Sequence, residues 1–196
     1  MVDQQACGIC GSLLEPGMGY GIKQDMCNSC YGILSADRDQ DPFGFYAVEM
    51  DDVLSEQIRV HNLLFKTSLR NIIPIPWVFK PIDFERHQKD LNSLNAAMWN
   101  ILEATQKLLE EGQTVSGRTF REEELIFGEV FLEYGKSLRN SILMLENLCV
   151  ELHLKSQNSN KLSRSEYNEL LSSYKENERQ RLTLGPKLNE VWDKVK

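Results

Sequence analysis

Four cysteines stand in two C-x-x-C pairs near the start of the chain, in the stretch CGICGSLLEPGMGYGIKQDMCNSC that runs from Cys7 to Cys30. Thiols in such pairs serve as disulfides, as redox centres or as metal ligands, and the spacing separates these uses. The pattern C-x2-C-x16-C-x2-C, formed by Cys7, Cys10, Cys27 and Cys30, falls within the range read as a zinc site. Each C-x-x-C turn aims two sulfurs at one point, and two such turns complete the tetrahedral thiolate shell that Zn²⁺ accepts. A thioredoxin-like dithiol would want one C-x-x-C beside a βαβ pattern, which is absent. Four protein ligands leave no open coordination position, so one structural Zn²⁺ is expected rather than a catalytic one. The loop between the pairs, with Pro16 and the glycines of GMGYG, is built to fold back on itself.

The second pair lies in CNSCYGIL, Cys27 to Leu34, which resembles the CNACGLY-type knuckle of GATA fingers. MGYGIKQDMCNSC is similar to the approach to the second cysteine pair in the first zinc module of nuclear receptors. The resemblance covers residues 7–34 and implies a treble-clef-type four-cysteine finger in which a helix starts near Cys27. It differs from a nuclear receptor in having no second four-cysteine module, since the remaining cysteine is Cys149.

Charge tests whether such a finger reads DNA as those families do. Residues 1–40 carry Lys23 and Arg38 against Asp3, Glu15, Asp25, Asp37 and Asp39. A DNA-reading module neutralises phosphates with clustered Lys and Arg, and this one repels them. The segment SADRDQD, which follows the knuckle where those fingers become basic, holds three aspartates and one arginine. Nucleic acid is therefore not the expected partner, and docking on protein is.

The elements that must position this module follow from the rest of the 196 residues, which are 41% hydrophobic with a formal net charge of −7. That length suits one main domain and a small appendage. The longest apolar run, Ile72 to Phe79, is broken by Pro74 and Pro76 and is far short of the roughly 20 residues a membrane helix needs. MVDQQACGIC lacks the basic and apolar regions of a secretory signal, so an intracellular place, cytoplasm or nucleus, is expected.

Three regions emerge: residues 1–40 as the zinc module, 41–82 as a connecting segment and 83–196 as a helical bundle or coiled-coil domain. In the connecting segment, the weak alternation at Phe43, Phe45 and Ala47 suggests a short strand. Leu54, Ile58, His61, Phe65 and Leu69 then recur on one face of a helix. His61 in that face is expected to be a packed, hydrogen-bonded residue rather than a ligand. NIIPIPWVFKPI ends the helix as a stiff strap that would pack Trp77 and Phe79.

From Phe84, one heptad row reads Phe84, Leu91, Met98, Thr105 and the partner row His87, Leu94, Ile101, Leu108, up to a stop at Gly112. A second helix is expected from Thr119, where T-F-R-E matches a capping box, with Phe127, Phe131, Tyr134, Leu138, Leu145, Leu148 and Leu152 inward. A third starts at Ser163 with S-R-S-E, passes Tyr167, Leu170 and Tyr174, and enters KENERQR, which shows no core face. Gly185-Pro186 is expected to interrupt it before Leu188, Val191, Trp192 and Val195. The fold class is mainly α: a small N-terminal zinc module with four cysteine ligands, followed by an antiparallel bundle of three or four long helices. Residues 83–196 hold their own seams and are expected to stand as a unit.

The sequence shows no Glu-x-x-His pairs of a di-iron bundle, no H-E-x-x-H, no G-x-S-x-G and no P-loop. Cys149 falls on the apolar side of its helix and reads as a buried small hydrophobe. The expectation is a non-catalytic zinc-binding adaptor or regulatory protein that binds protein partners, or a second copy, through its helices. The end beyond Pro186, at Leu188, Val191 and Trp192, is the expected contact surface. The alternative is a transcription regulator with a DNA-contacting finger and a dimerising helical domain. Salt-sensitive retardation of duplex DNA separates the two.

Overall fold

The computed structural model describes residues 40–70, 83–114, 117–157 and 163–195. The four paired cysteines, and the strap with Trp77 and Phe79, lie outside the described residues. Within them four helices follow one another: α1 (Pro42–Arg70), α2 (Phe84–Glu111), α3 (Glu122–Ser156) and α4 (Arg164–Val195).

Local chemistry sets the ends of these helices. Asp41 caps α1, its Oδ1 accepting the Gly44 N–H at 3.0 Å, and Pro42 takes the first helical position, where a missing N–H is harmless. Asp83 caps α2 through the Arg86 N–H at 3.0 Å, and Gly112 ends it in the left-handed region at φ 64°, its N–H donating to the Leu108 carbonyl. At α4 the expected capping box is present: Glu166 Oε2 accepts the Ser163 N–H at 2.7 Å, and Ser163 Oγ accepts the Glu166 N–H at 3.2 Å.

Each helix runs antiparallel to the next. Phe43 at the start of α1 meets Leu109 at the end of α2 over Gly128 of α3, while Phe84 at the start of α2 stacks on His153 near the end of α3. Arg121, just before α3, donates to the Val195 carbonyl at the end of α4 at 2.9 Å. α3 packs on all three of the others, and α1 and α4 flank it without close backbone approach to each other. The core runs the length of α3 as Phe127, Phe131, Leu138, Ile142, Leu145 and Leu148, each 1% exposed or less. Burying each such side chain contributes about 1.5–3 kcal/mol. Gly128 and Gly135 let the neighbours close in. A Cβ at Gly128 would stand 2.7 Å from Leu109 Cδ2 and 2.8 Å from the Phe43 ring, and one at Gly135 2.8 Å from Leu102 Cδ2.

The α2 seam is as the heptads predict: His87, Leu91, Leu94, Met98, Ile101, Thr105 and Leu108 are all buried. Other expectations are corrected. Residues 43–47 are helical, not a strand, because Phe43, Tyr46, Met50, Val53, Gln57, Val60 and Leu64, all buried, form a continuous 3–4 stripe once Asp41 and Pro42 start the helix. The stripe turns the helix away from the expected face. Ile58 is 43% exposed, and Leu54, His61 and Phe65 are half-buried at its edge.

The start of α3 is Glu122 rather than Thr119, which instead bridges Gln113 across the connecting loop. Arg121 caps it, and Glu124 Oε2 accepts the Arg121 N–H at 2.8 Å, the carboxylate half of a capping box set two residues later. Phe120 in that loop plugs the end of the core, its ring 4.9 Å from Phe43.

α4 passes through Gly185-Pro186 without a break. Pro186 cannot donate to the Leu182 carbonyl, but both residues face solvent, where water takes that role, and the turns beyond are held by core contacts. KENERQR does have an inward residue, since Arg181 is only 7% exposed.

Candidate functional site

The seam between α1 and α4 differs from the other helix contacts, because side chains rather than backbone proximity join the two. One end is closed by Tyr174 of α4, 1% exposed. Its hydroxyl accepts from Gln57 Nε2 at 3.1 Å and lies 2.6 Å from His61 Nδ1, both on α1. With the Gln57 amide as donor, the phenol proton goes to His61 Nδ1, which leaves the imidazole proton on Nε2. The Phe65 ring stacks on Tyr174 at 5.9 Å. Burial holds the Tyr174 phenol well above its ordinary value, Glu178 adding to the effect. Burial also holds His61 below the usual imidazole value, with Glu178 opposing.

One turn further along α4, Glu178 and Arg181 pair at 2.9 Å, and Arg181 Nη1 donates to the Tyr134 hydroxyl of α3 at 3.0 Å. Burial alone would lower the Arg181 pKa, yet the hydrogen bonds it donates to Glu178 and Tyr134 keep it above its ordinary value. A buried guanidinium needs such partners, and this one has them.

Beyond Tyr134 the seam opens into a groove of about 340 Å³. Its floor is Phe127, Phe131 and Tyr134 of α3, with Met50 and Leu54 on one wall and Leu188 and Trp192 on the other. Asp51 and Asn189 add polar groups. Trp192 packs on Phe127 with ring centroids 4.8 Å apart, and Val191 beside it is 9% exposed and belongs to the core. The three residues singled out in sequence are thus brought to one place, with Leu188 and Trp192 lining the groove. The α1 wall is absent from the sequence expectation, because reading residues 43–47 as a strand hides it.

Just before α1 the chain is tied down to the loop between α2 and α3. Arg118 grips Glu124 with both Nη1 and Nη2 at 3.1 Å, and its Nη2 also donates to the Gln40 carbonyl at 3.1 Å. Burial would raise the Glu124 pKa, but Arg118 and the Arg121 N–H hold it below the ordinary range.

Other titratable groups have packing roles. Cys149 is fully buried, its Sγ 3.6 Å from the Phe84 carbonyl, and burial pushes the thiol up to about 11. That pKa suits an inert thiol. His87 is buried with Nδ1 3.9 Å from Asp90, which in turn pairs with Arg59 of α1 at 2.8 Å. Glu122, Glu123 and Glu124 occupy the first turn of α3, where carboxylates favour the helix dipole. Among the described residues no three His, Cys, Asp or Glu side chains gather as a metal site, and no helix is long and apolar enough to cross a membrane. Comparison with known families, with curated proteins and with solved structures finds no match to this chain.

Proposed function

We propose that this chain is a non-catalytic interaction protein, an adaptor or regulator. In it, Cys7, Cys10, Cys27 and Cys30 hold one structural Zn²⁺ and the helical bundle offers a surface to protein. The observation that supports the second half is the apolar seam between α1 and α4, where Leu188 and Trp192 line an open groove. The support for the first half is the cysteine spacing. Apolar grooves between helices take the apolar face of another segment, with a few polar groups such as Asp51 fixing its register. The acidic balance of the N-terminal residues argues for protein over nucleic acid as the target.

Two measurements test the two halves separately. Elemental analysis of the reduced protein is expected to find one zinc per chain, lost on Cys27→Ser and kept on Cys149→Ser. Substantially less metal in the wild type defeats the zinc assignment. Leu188→Ala with Trp192→Ala is expected to weaken recovery of co-purifying protein from the native cells without changing zinc content. Unchanged recovery would remove the groove from the proposal.

A further inference from the structure

α1 and α4 flank α3 without close backbone approach to each other, so side chains alone hold the seam between them. Its closed end is a chain of three groups, each able to give or take a hydrogen bond: the Gln57 amide and the His61 imidazole on α1, with the Tyr174 hydroxyl of α4 between them at 3.1 and 2.6 Å. We infer that this chain is a proton-operated switch: a proton taken up at His61 reverses the direction of the hydrogen bonds, and the Gln57 amide turns over in the core. The inference rests neither on the metal nor on the groove.

Two observations carry it. Gln57 is 0% exposed, and while its Nε2 serves the phenol, its Oε1 is buried with no hydrogen-bond partner. A buried acceptor left unpaired calls for a reason, and a second state that uses it supplies one. His61, by contrast, is half-buried, so its ring can exchange protons with solvent while Nδ1 is engaged on Tyr174.

Counting donors decides what that proton does. With His61 neutral, the amide donates to the phenol oxygen and the phenol donates to Nδ1. A second ring proton has to sit on Nδ1, which changes from acceptor to donor. If nothing else moved, the phenol oxygen would face two donors, and both the phenol hydrogen and Gln57 Oε1 would be buried without partners. Turning the amide over pairs these two with each other. The imidazolium then donates to the phenol oxygen, a charge-assisted bond of the stronger kind, and the phenol donates to Oε1. Only the amide N–H groups are left over. Buried N–H groups without acceptors are tolerated less well than an under-used carbonyl, so the reversed chain holds α1 to α4 less firmly. The seam thereby senses acid through one proton.

The charges around the joint come from three helices. From α4, Glu178 favours a charged His61 ring against the burial that opposes it. Arg181, also of α4, is taken by Glu178 and by Tyr134 of α3. On α1 itself, Arg59 is taken by Asp90 of α2.

Nuclear magnetic resonance of the ¹⁵N-labelled full chain tests the switch. At neutral pH the His61 ring, identified by the signal lost in His61→Gln, is expected to carry its proton on Nε2. As pH is lowered, the Gln57 side-chain amide signals should move with the same midpoint as the His61 ring. Gln57→Met removes the acceptor that only the charged state uses, and should lower the His61 midpoint by about half a pH unit or more, roughly threefold in proton affinity. Gln57 signals that stay still while His61 titrates would overturn the inference. So would an unchanged or raised midpoint in Gln57→Met, because the proton would then enter without help from the amide. Tyr174→Phe, with helicity checked by circular dichroism, breaks the chain at its middle and serves if the methionine variant folds poorly. In it the Gln57 signals should cease to follow His61, and signals that still follow would mark a field effect across space and overturn the inference as well.

Discussion

At the scale of single residues, the closed end of the α1–α4 seam depends on one phenol. Tyr174→Phe keeps the ring on Phe65 but leaves the Gln57 amide and His61 Nδ1 without their partner, and a buried polar group left unpaired costs about 1–3 kcal/mol. Denaturant unfolding is expected to show a loss of that order, and a change below a few tenths would mean water replaces the hydroxyl. His61 adds a pH dependence whose sign is fixed by its shift. Its folded pKa lies below the ordinary 6.5, so the unfolded chain binds the proton more readily. The stability that comes from a neutral His61 is complete above about 6.5 and is lost as pH falls from there through the folded value. His87 is shifted the same way by burial and adds in the same sense. Unfolding midpoints measured between roughly pH 7.5 and 5 should therefore fall, and His61→Gln should shrink the slope. His61 as a hydrogen-bonded packing residue was legible in sequence, since no second ligand stood at helical spacing. Its partner was not, because Tyr174 is 113 residues away and only the tertiary fold joins them.

The helices themselves were legible wherever period and cap agreed. α2 shows both a heptad seam and a glycine stop, and Ser163 with Glu166 marks the start of α4. The misread elements each had one strong local signal pointing elsewhere. Thr119 matches a capping box in sequence, yet Phe120 is drawn into the core beside Phe43, and the helix starts after it. Gly185-Pro186 predicts a stop, yet Val191 and Trp192 are held on α3 and the helix carries through. That override implies a stored cost. Pro186→Ala restores an N–H opposite the Leu182 carbonyl at an exposed site and should raise stability by about 2 kcal/mol, seen as a higher melting temperature. A neutral result would mean the unfolded-state gain from proline cancels it. Gly128 tests the opposite direction. Gly128→Ala gains about 1 kcal/mol of helix propensity but drives a methyl into the Phe43 ring and Leu109, so overpacking of about 1–3 kcal/mol should leave the protein less stable.

For the molecule as a whole, the sequence divides the chain at residue 83 and leaves the bundle at three or four helices; α1 is the fourth and supplies Phe43, Tyr46, Met50, Val53, Val60 and Leu64 to the same core. A fragment from residue 83 would expose the α2 and α3 side chains those residues cover. It is expected to be helical by circular dichroism but to melt broadly, whereas a fragment from residue 40 should melt in one sharp transition. Equally sharp melting of both would show that α1 is an accessory wall. The stripe was hard to read in sequence because Phe45 and Ala47 also fit an alternating pattern over those few residues. The groove escaped notice for a related reason: it is made by three helices far apart in the chain.

Cys149 gives the folded chain a clock. Its sulfur is sealed between the start of α2 and the later turns of α3, and a thiol with a pKa of about 11 carries almost no thiolate near neutral pH. An alkylating reagent can then reach it only when that end of the bundle opens. The rate at which Cys149 is modified, followed apart from the N-terminal cysteines by peptide mass, becomes a count of opening events under native conditions. In that role a side chain with no chemistry of its own times the breathing of the whole core.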